Sequence, residues 1–171
     1  MGLTGLKKEL ETLDSSQLTA LLVDLYKKNK AAREYLDFYV QPNEQERFEQ
    51  YRDRVVAAFY PRRGQQLRLR EGKQAISDFG KLEPAAELLA DLLLVYVETG
   101  VRFTNEYGNI DEAFYTSLES TYVKALTLLK QDHLLARFAD RTAQVVHDTS
   151  DIEWGFHEYL DHMRGKFYPG G

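Results

Sequence analysis

The chain has 171 residues, 43% of them hydrophobic and 29% charged, a size and balance that let one domain bury a core without covalent staples. It contains no cysteine, which excludes structural disulfides, thiolate zinc sites and cysteine nucleophiles. The formal charge of −5 is unevenly spread: residues 1–42 balance six basic against six acidic side chains, residues 43–83 carry two surplus positive charges, and residues 84–171 set seven basic against fourteen acidic. Such an acidic C-terminal half opposes a phosphate backbone, so nucleic acid is not an expected partner. No apolar run reaches the ~18 residues of a membrane span; the longest, Leu88 to Val97, is interrupted by Asp91. Lys7 and Lys8 are not followed by an apolar stretch, so neither a signal peptide nor a membrane contact is expected, and the expected location is the cytoplasm.

Apolar residues recur at three- and four-residue spacing along nearly the whole chain, and strict alternation is scarce. A first short helix is expected over Leu3 to Leu13. Asp14 then reads as an N-cap with Gln17 as its capping-box partner. The following helix carries the stripe Leu18, Leu21, Leu22, Leu25 and Tyr26. A third runs through Tyr35, Leu36, Phe38 and Tyr39 until Pro42 and Asn43 stop it. The next presents Phe48, Tyr51, Val55, Val56, Phe59 and Tyr60 and ends at Pro61.

Residues 62–70, with Gly64 and no apolar period, read as a long loop. A helix with Ala75, Ile76, Phe79 and Leu82 follows it. Glu83-Pro84 restarts the chain, Pro84 in a first-turn position. Leu88 to Tyr107 is apolar nearly all round in its first three turns, which places it at the centre of a bundle. Gly108 and Asn109 break it. Asp111 caps a helix bearing Phe114, Leu118, Tyr122, Ala125, Leu126 and Leu129, and Asp132 is expected to cap another through Leu134, Leu135, Phe138, Val145 and Val146. The last helix is drawn through Ile152, Phe156, Tyr159, Leu160 and Met163, and Gly170-Gly171 trail it. The expected fold is all-α: a single helical domain over 1–169 of eight or nine helices, as an antiparallel bundle or a short solenoid-like stack. Its internal divisions are 1–41, 43–83 and 84–169.

No Gly-rich phosphate loop, glycine-flanked serine, helical zinc-protease pair or Glu-x-x-His di-iron pattern occurs, and no cofactor is expected. The leading candidate site is a polar stripe on the central helix. Asp91, Glu98, Arg102 and Asn105 fall within an arc of roughly 60°, with Glu98 and Arg102 spaced to orient one another and Arg102 able to fork a carboxylate or phosphate. The competing explanation is a solvent edge or an internal ion pair. A second candidate is Glu119, which shares a helix face with Tyr115 and Tyr122; a carboxylate between rings acquires a raised pKa suited to acid–base work. Capping and first-turn charge by Asp111 and Glu112 explain the same region without chemistry.

Glu153, His157 and Asp161 share one helix face but supply too few ligands for a metal, so no metal site is assigned and His157 is expected to pack. Trp154-Gly155-Phe156 beside them reads as a packing element with a close helix approach. Arg62, Arg63, Arg68 and Arg70, with Lys73, form a local basic patch that could grip an anion or an acidic partner. The competing explanation is a solvated connection.

Several blocks resemble a family of small bacterial proteins of unknown function: Leu6-Lys7-Lys8-Glu9-Leu10, Glu34-Tyr35-Leu36-Asp37-Phe38, Ile76-Ser77-Asp78-Phe79, and above all Tyr96-Val97-Glu98-Thr99-Gly100, Phe103-Thr104-Asn105-Glu106-Tyr107-Gly108, Phe114-Tyr115 and Ser117-Leu118-Glu119-Ser120, with Trp154-Gly155-Phe156-His157 last. The resemblance implies a bacterial, cytoplasmic, helical protein, and it assigns no catalytic residue. The residues themselves favour a non-enzymatic interaction module that binds a protein partner or itself through a groove between helices. The alternative is a small-molecule binder or hydrolytic enzyme with Glu98, Arg102, Asn105 and Glu119 around a pocket.

Overall fold

A computed structural model describes residues 2–41, 43–61 and 66–169. Among these there are nine α-helices, one 3-10 helix and no strand. Contacts group the chain into two units, Met1–Asn43 and Glu44–Gly171. Pro42, Arg62, Arg63, Gly64, Gly170 and Gly171 lie outside the described residues.

The N-terminal unit comprises α1 (Leu3–Glu11), α2 (Ser15–Lys28) and α3 (Lys30–Val40). Asp14 and Gln17 form the expected reciprocal capping box: the Gln17 N–H donates to Asp14 Oδ1 at 2.8 Å and the Asp14 N–H to Gln17 Oε1 at 3.0 Å. Asn29 both ends α2 and caps α3, accepting from the Ala32 N–H at 3.1 Å. Arg33 then reaches back to the carbonyls of Tyr26 and Lys27, which a helix end leaves without intrahelical donors. The Tyr26 hydroxyl donates to Asp37 at 2.9 Å. These polar pins join α2 to α3, while no residue of α2 is buried and only Phe38 of α3 is.

The C-terminal unit has a conventional core. Its elements are α4 (Glu44–Phe59), α5 (Leu69–Gly80), α6 (Ala86–Tyr107), α7 (Glu112–Gln131), a 3-10 turn over Leu135–Phe138, α8 (Ala139–His147) and α9 (Phe156–Phe167). The central helix is α6, flanked by α4, α5, α7 and α8, with α9 packed against α7 and α8. Leu92 through Val97 are six consecutive buried residues, as a helix with neighbours all round requires. A row of touching rings runs through this core, from Tyr96 to Phe59 to Phe114 to Tyr115 to Phe156, with centroids 4.8–6.2 Å apart. Gly100 sets the α6–α7 approach: a Cβ there would lie 2.4 Å from Leu118 Cδ2.

Several local expectations are corrected. Pro84 precedes the Ala85 cap of α6 instead of entering its first turn, and Leu82 lies just past α5. Leu69 and Arg70 already belong to α5, so the connection is shorter than 62–70. Asp132 does not start a helix; it ends α7. The chain turns there through a left-handed His133 (φ 59°) and winds first as a 3-10 turn. Ile152 is buried but precedes α9. Gly155 serves a left-handed turn (φ 70°) with nothing within 4 Å of its missing Cβ, so it marks no close helix approach. Its neighbour Trp154 is exposed and also left-handed, and only Phe156 of that trio is buried.

Candidate functional site

Glu98, Arg102 and Asn105 of α6 do share one wall, as their spacing requires. The opposite wall is α8 with its following turn, and together they bound a cleft of about 390 Å³ lined also by Glu106, Arg141, Gln144, Val145 and Asp148. Arg141 dominates its polar chemistry. Nε and Nη2 donate to the two oxygens of Glu98 at 2.6 and 3.0 Å, and Nη1 donates to Asp91 at 2.6 Å. The pair Glu98–Arg102 anticipated along α6 does not form. Glu98 is taken from across the cleft because a planar fork matches a carboxylate with two parallel bonds. Both carboxylates hold the Arg141 proton more tightly than an isolated guanidinium would.

The remaining lining groups are mostly engaged. Asn105 donates to the Asp148 carbonyl at 2.9 Å, and Gln144 donates to the Asp148 carboxylate at 2.6 Å. Glu106 accepts from the Tyr60 hydroxyl at 3.0 Å; burial and that bond push the phenol up to about 12. Arg102 is exposed and, among the described residues, makes no hydrogen bond or ion pair. It is the free cation at the rim.

Glu119 stands apart from this cleft, on α7. Neither tyrosine of its face bonds it: the Tyr115 hydroxyl pairs with Thr104 at 2.8 Å and Tyr122 donates to the Thr142 carbonyl at 3.0 Å. Partial burial raises the pKa of its carboxyl. The sequence-predicted quartet is therefore brought together as three plus one.

The basic patch is divided as well. Arg62 and Arg63 lie outside the described residues. Arg68 is occupied in structure, donating to Glu71 at 3.1 Å and to the Ala57 carbonyl at 3.3 Å, where it fastens the start of α5 to the end of α4. Arg70 is exposed. At the other end, His157 Nδ1 lies 2.9 Å from Thr149 Oγ1 and 3.2 Å from the Val146 carbonyl. Thr149 already donates to that carbonyl, so the imidazole carries its proton on Nδ1 and packs α9 against the end of α8. Among the described residues no three acidic or histidine side chains cluster as metal ligands, and no helix is long and apolar enough to cross a membrane.

Sequence reasoning missed Arg141, Gln144 and Asp148. A signal existed for Arg141: it lies three residues after Phe138 and four before Val145, both buried, and therefore on the inward stripe of its helix. An arginine in an apolar stripe requires a partner across the interface.

Fold and cleft define an all-helical protein whose central polar stripe is clamped by an arginine from a neighbouring helix. The chain belongs to a family of unknown function (DUF6155), whose model matches residues 1–168. No curated protein and no solved structure matches it.

Proposed function

We propose that this protein is a non-enzymatic helical interaction module whose docking element is the N-terminal unit. One observation carries the reading: of the thirteen large hydrophobic residues that are exposed among the described ones, ten (Leu3, Leu6, Leu21, Leu22, Val23, Leu25, Tyr26, Tyr35, Tyr39 and Val40) belong to α1–α3. Amphipathic helices with uncovered apolar faces gain stability by laying them against another chain. The balanced charge of residues 1–42 removes the repulsion that the acidic remainder would exert between copies, which makes a second copy the first candidate partner. A bacterial cytoplasm is the setting that the sequence features suit.

The test is light scattering of the full chain as concentration is raised, with Leu22→Asp/Leu25→Asp as the variant. The expected result is a mass rising from 19.8 kDa towards a multiple, lost in the variant at an unchanged helix content by circular dichroism because both leucines are exposed. Native mass spectrometry of protein from its own host covers a different partner chain. A bare monomer in both experiments overturns the proposal.

The cleft supports a second reading, a small-molecule binder, through the free Arg102 guanidinium facing about 390 Å³ of space. It supports binding better than hydrolysis, since both Glu98 oxygens already accept from Arg141 and Glu106 already accepts from the Tyr60 hydroxyl.

A further inference from the structure

A different groove, of about 420 Å³, lies where Lys73 of α5 reaches the N-terminal half of α7; Glu112, Ala113, Thr116, Ser117 and Ser120 complete it. Its chemistry follows from where each proton goes. Ser120 donates to the Ser117 carbonyl at 3.0 Å, so the contact between Lys73 Nζ and Ser120 Oγ at 3.2 Å is a donation by the ammonium. That direction leaves Ser120 no proton for Lys73 to remove, which argues against a serine–lysine nucleophile. It also leaves two ammonium N–H groups free.

Ser117 Oγ lies 2.8 Å from the hydroxyl of Tyr96, which is fully buried. Among the described residues Ser117 is the phenol's only hydrogen-bond partner, and an unmade buried donor costs about 1–3 kcal/mol, so Tyr96 donates. The Ser117 proton is then available to the groove. Thr116 is exposed and its hydroxyl has no partner among the described residues. Among the described residues Lys73 has no carboxylate within ion-pair distance, and partial burial, with Lys124 as a charged neighbour, depresses its pKa. One carboxylate, Glu112, stands on the wall, in the first turn of α7 and unbonded to Lys73.

Where α5 meets an α7 from the acidic part of the chain, this is a place of spare donors with an ammonium that, among the described residues, has no ion-pair partner. We propose that the groove binds a phosphate monoester. Two ammonium N–H groups and two hydroxyls match the several lone pairs of a tetrahedral dianion, Lys73 in the lining offsets part of its charge with Lys124 near it, and the volume leaves room for the esterified group.

The experiment is amide NMR of the full chain titrated with phenyl phosphate, with inorganic phosphate, and with sodium chloride at matched ionic strength. Expected are saturable shifts at Thr116, Ser117 and Ser120 with phenyl phosphate binding tighter than phosphate. Lys73→Met should weaken binding about tenfold, the size of one lost charge-assisted hydrogen bond. Thr116→Val, which removes only an exposed hydroxyl, should weaken it to a smaller extent. Shifts reproduced by chloride, or unchanged affinity in Lys73→Met, overturn the site. Equal binding of phosphate and phenyl phosphate overturns the ester and assigns the free ion.

Discussion

A guanidinium presents five N–H groups in one plane, and Arg141 directs three of its N–H···O bonds at two carboxylates on the same helix. Asp91 and Glu98 are seven residues apart, two turns along α6, so a single side chain from α8 spans them and sets the register of the two helices. All three side chains are about 30% exposed, which keeps them from the full cost of burying charge and also limits what the pairs contribute. In a double-mutant cycle of Arg141→Met with Glu98→Gln, followed by urea unfolding, the expected coupling is about 1–2 kcal/mol, at the upper end for a bidentate pair. Arg141→Lys should recover only part of it, because an ammonium cannot match both oxygens in plane. A coupling near zero would show that the triad contributes nothing to stability. Glu98, Arg102 and Asn105 could be placed on one face from spacing alone. That Glu98 would prefer Arg141 to Arg102 could not, because the competition is decided across an interface.

Among the helices, α6 and α7 form the most extensive pair, and their separation is set by a missing side chain. Gly100 sits mid-helix, where alanine would ordinarily be favoured by roughly 1 kcal/mol. Here a Cβ would meet two methyl carbons and Cγ of Leu118 at 2.4–3.1 Å, and Leu118 is fully buried in an interior packed closely on every side. Overpacking wins: Gly100→Ala is expected to destabilise by about 1–3 kcal/mol, read from denaturant midpoints, with a double variant Gly100→Ala/Leu118→Val recovering part of the loss. The helices and most of their caps were legible because capping and 3.6-residue periodicity are local. Asp132 shows the limit. An aspartate before an apolar run reads as an N-cap, but the left-handed His133 turns the chain first, and that turn is imposed by how the segment after α7 must return to the bundle.

For the molecule as a whole, the two units differ in kind. Among the described residues, the C-terminal unit holds thirty of the thirty-one buried hydrophobic side chains, and the N-terminal unit holds Phe38 alone. Short helices in water are marginal without a packed face, so amides of α1–α3 should exchange with deuterium much faster than those of α6 and α7. Mass-resolved exchange on the isolated full chain checks this, and comparable protection in both would show that the N-terminal faces are covered. Added partner, or higher concentration if the partner is a second copy, should then slow exchange in α2 and α3 specifically.

The amino-acid sequence by itself determined the all-α class, the central place of α6, the Asp14–Gln17 box and the shared face of Glu98, Arg102 and Asn105. All of these follow from interactions within about four residues or from a hydrophobic run that no other environment would accept. Tertiary structure alone decided that the stripe of α4 is buried, that Arg141 closes the cleft, that Glu119 stands outside it, and that Lys73 meets the serines of α7. Periodicity tells which face of a helix is apolar or charged; only the packing of distant segments says what, if anything, that face meets.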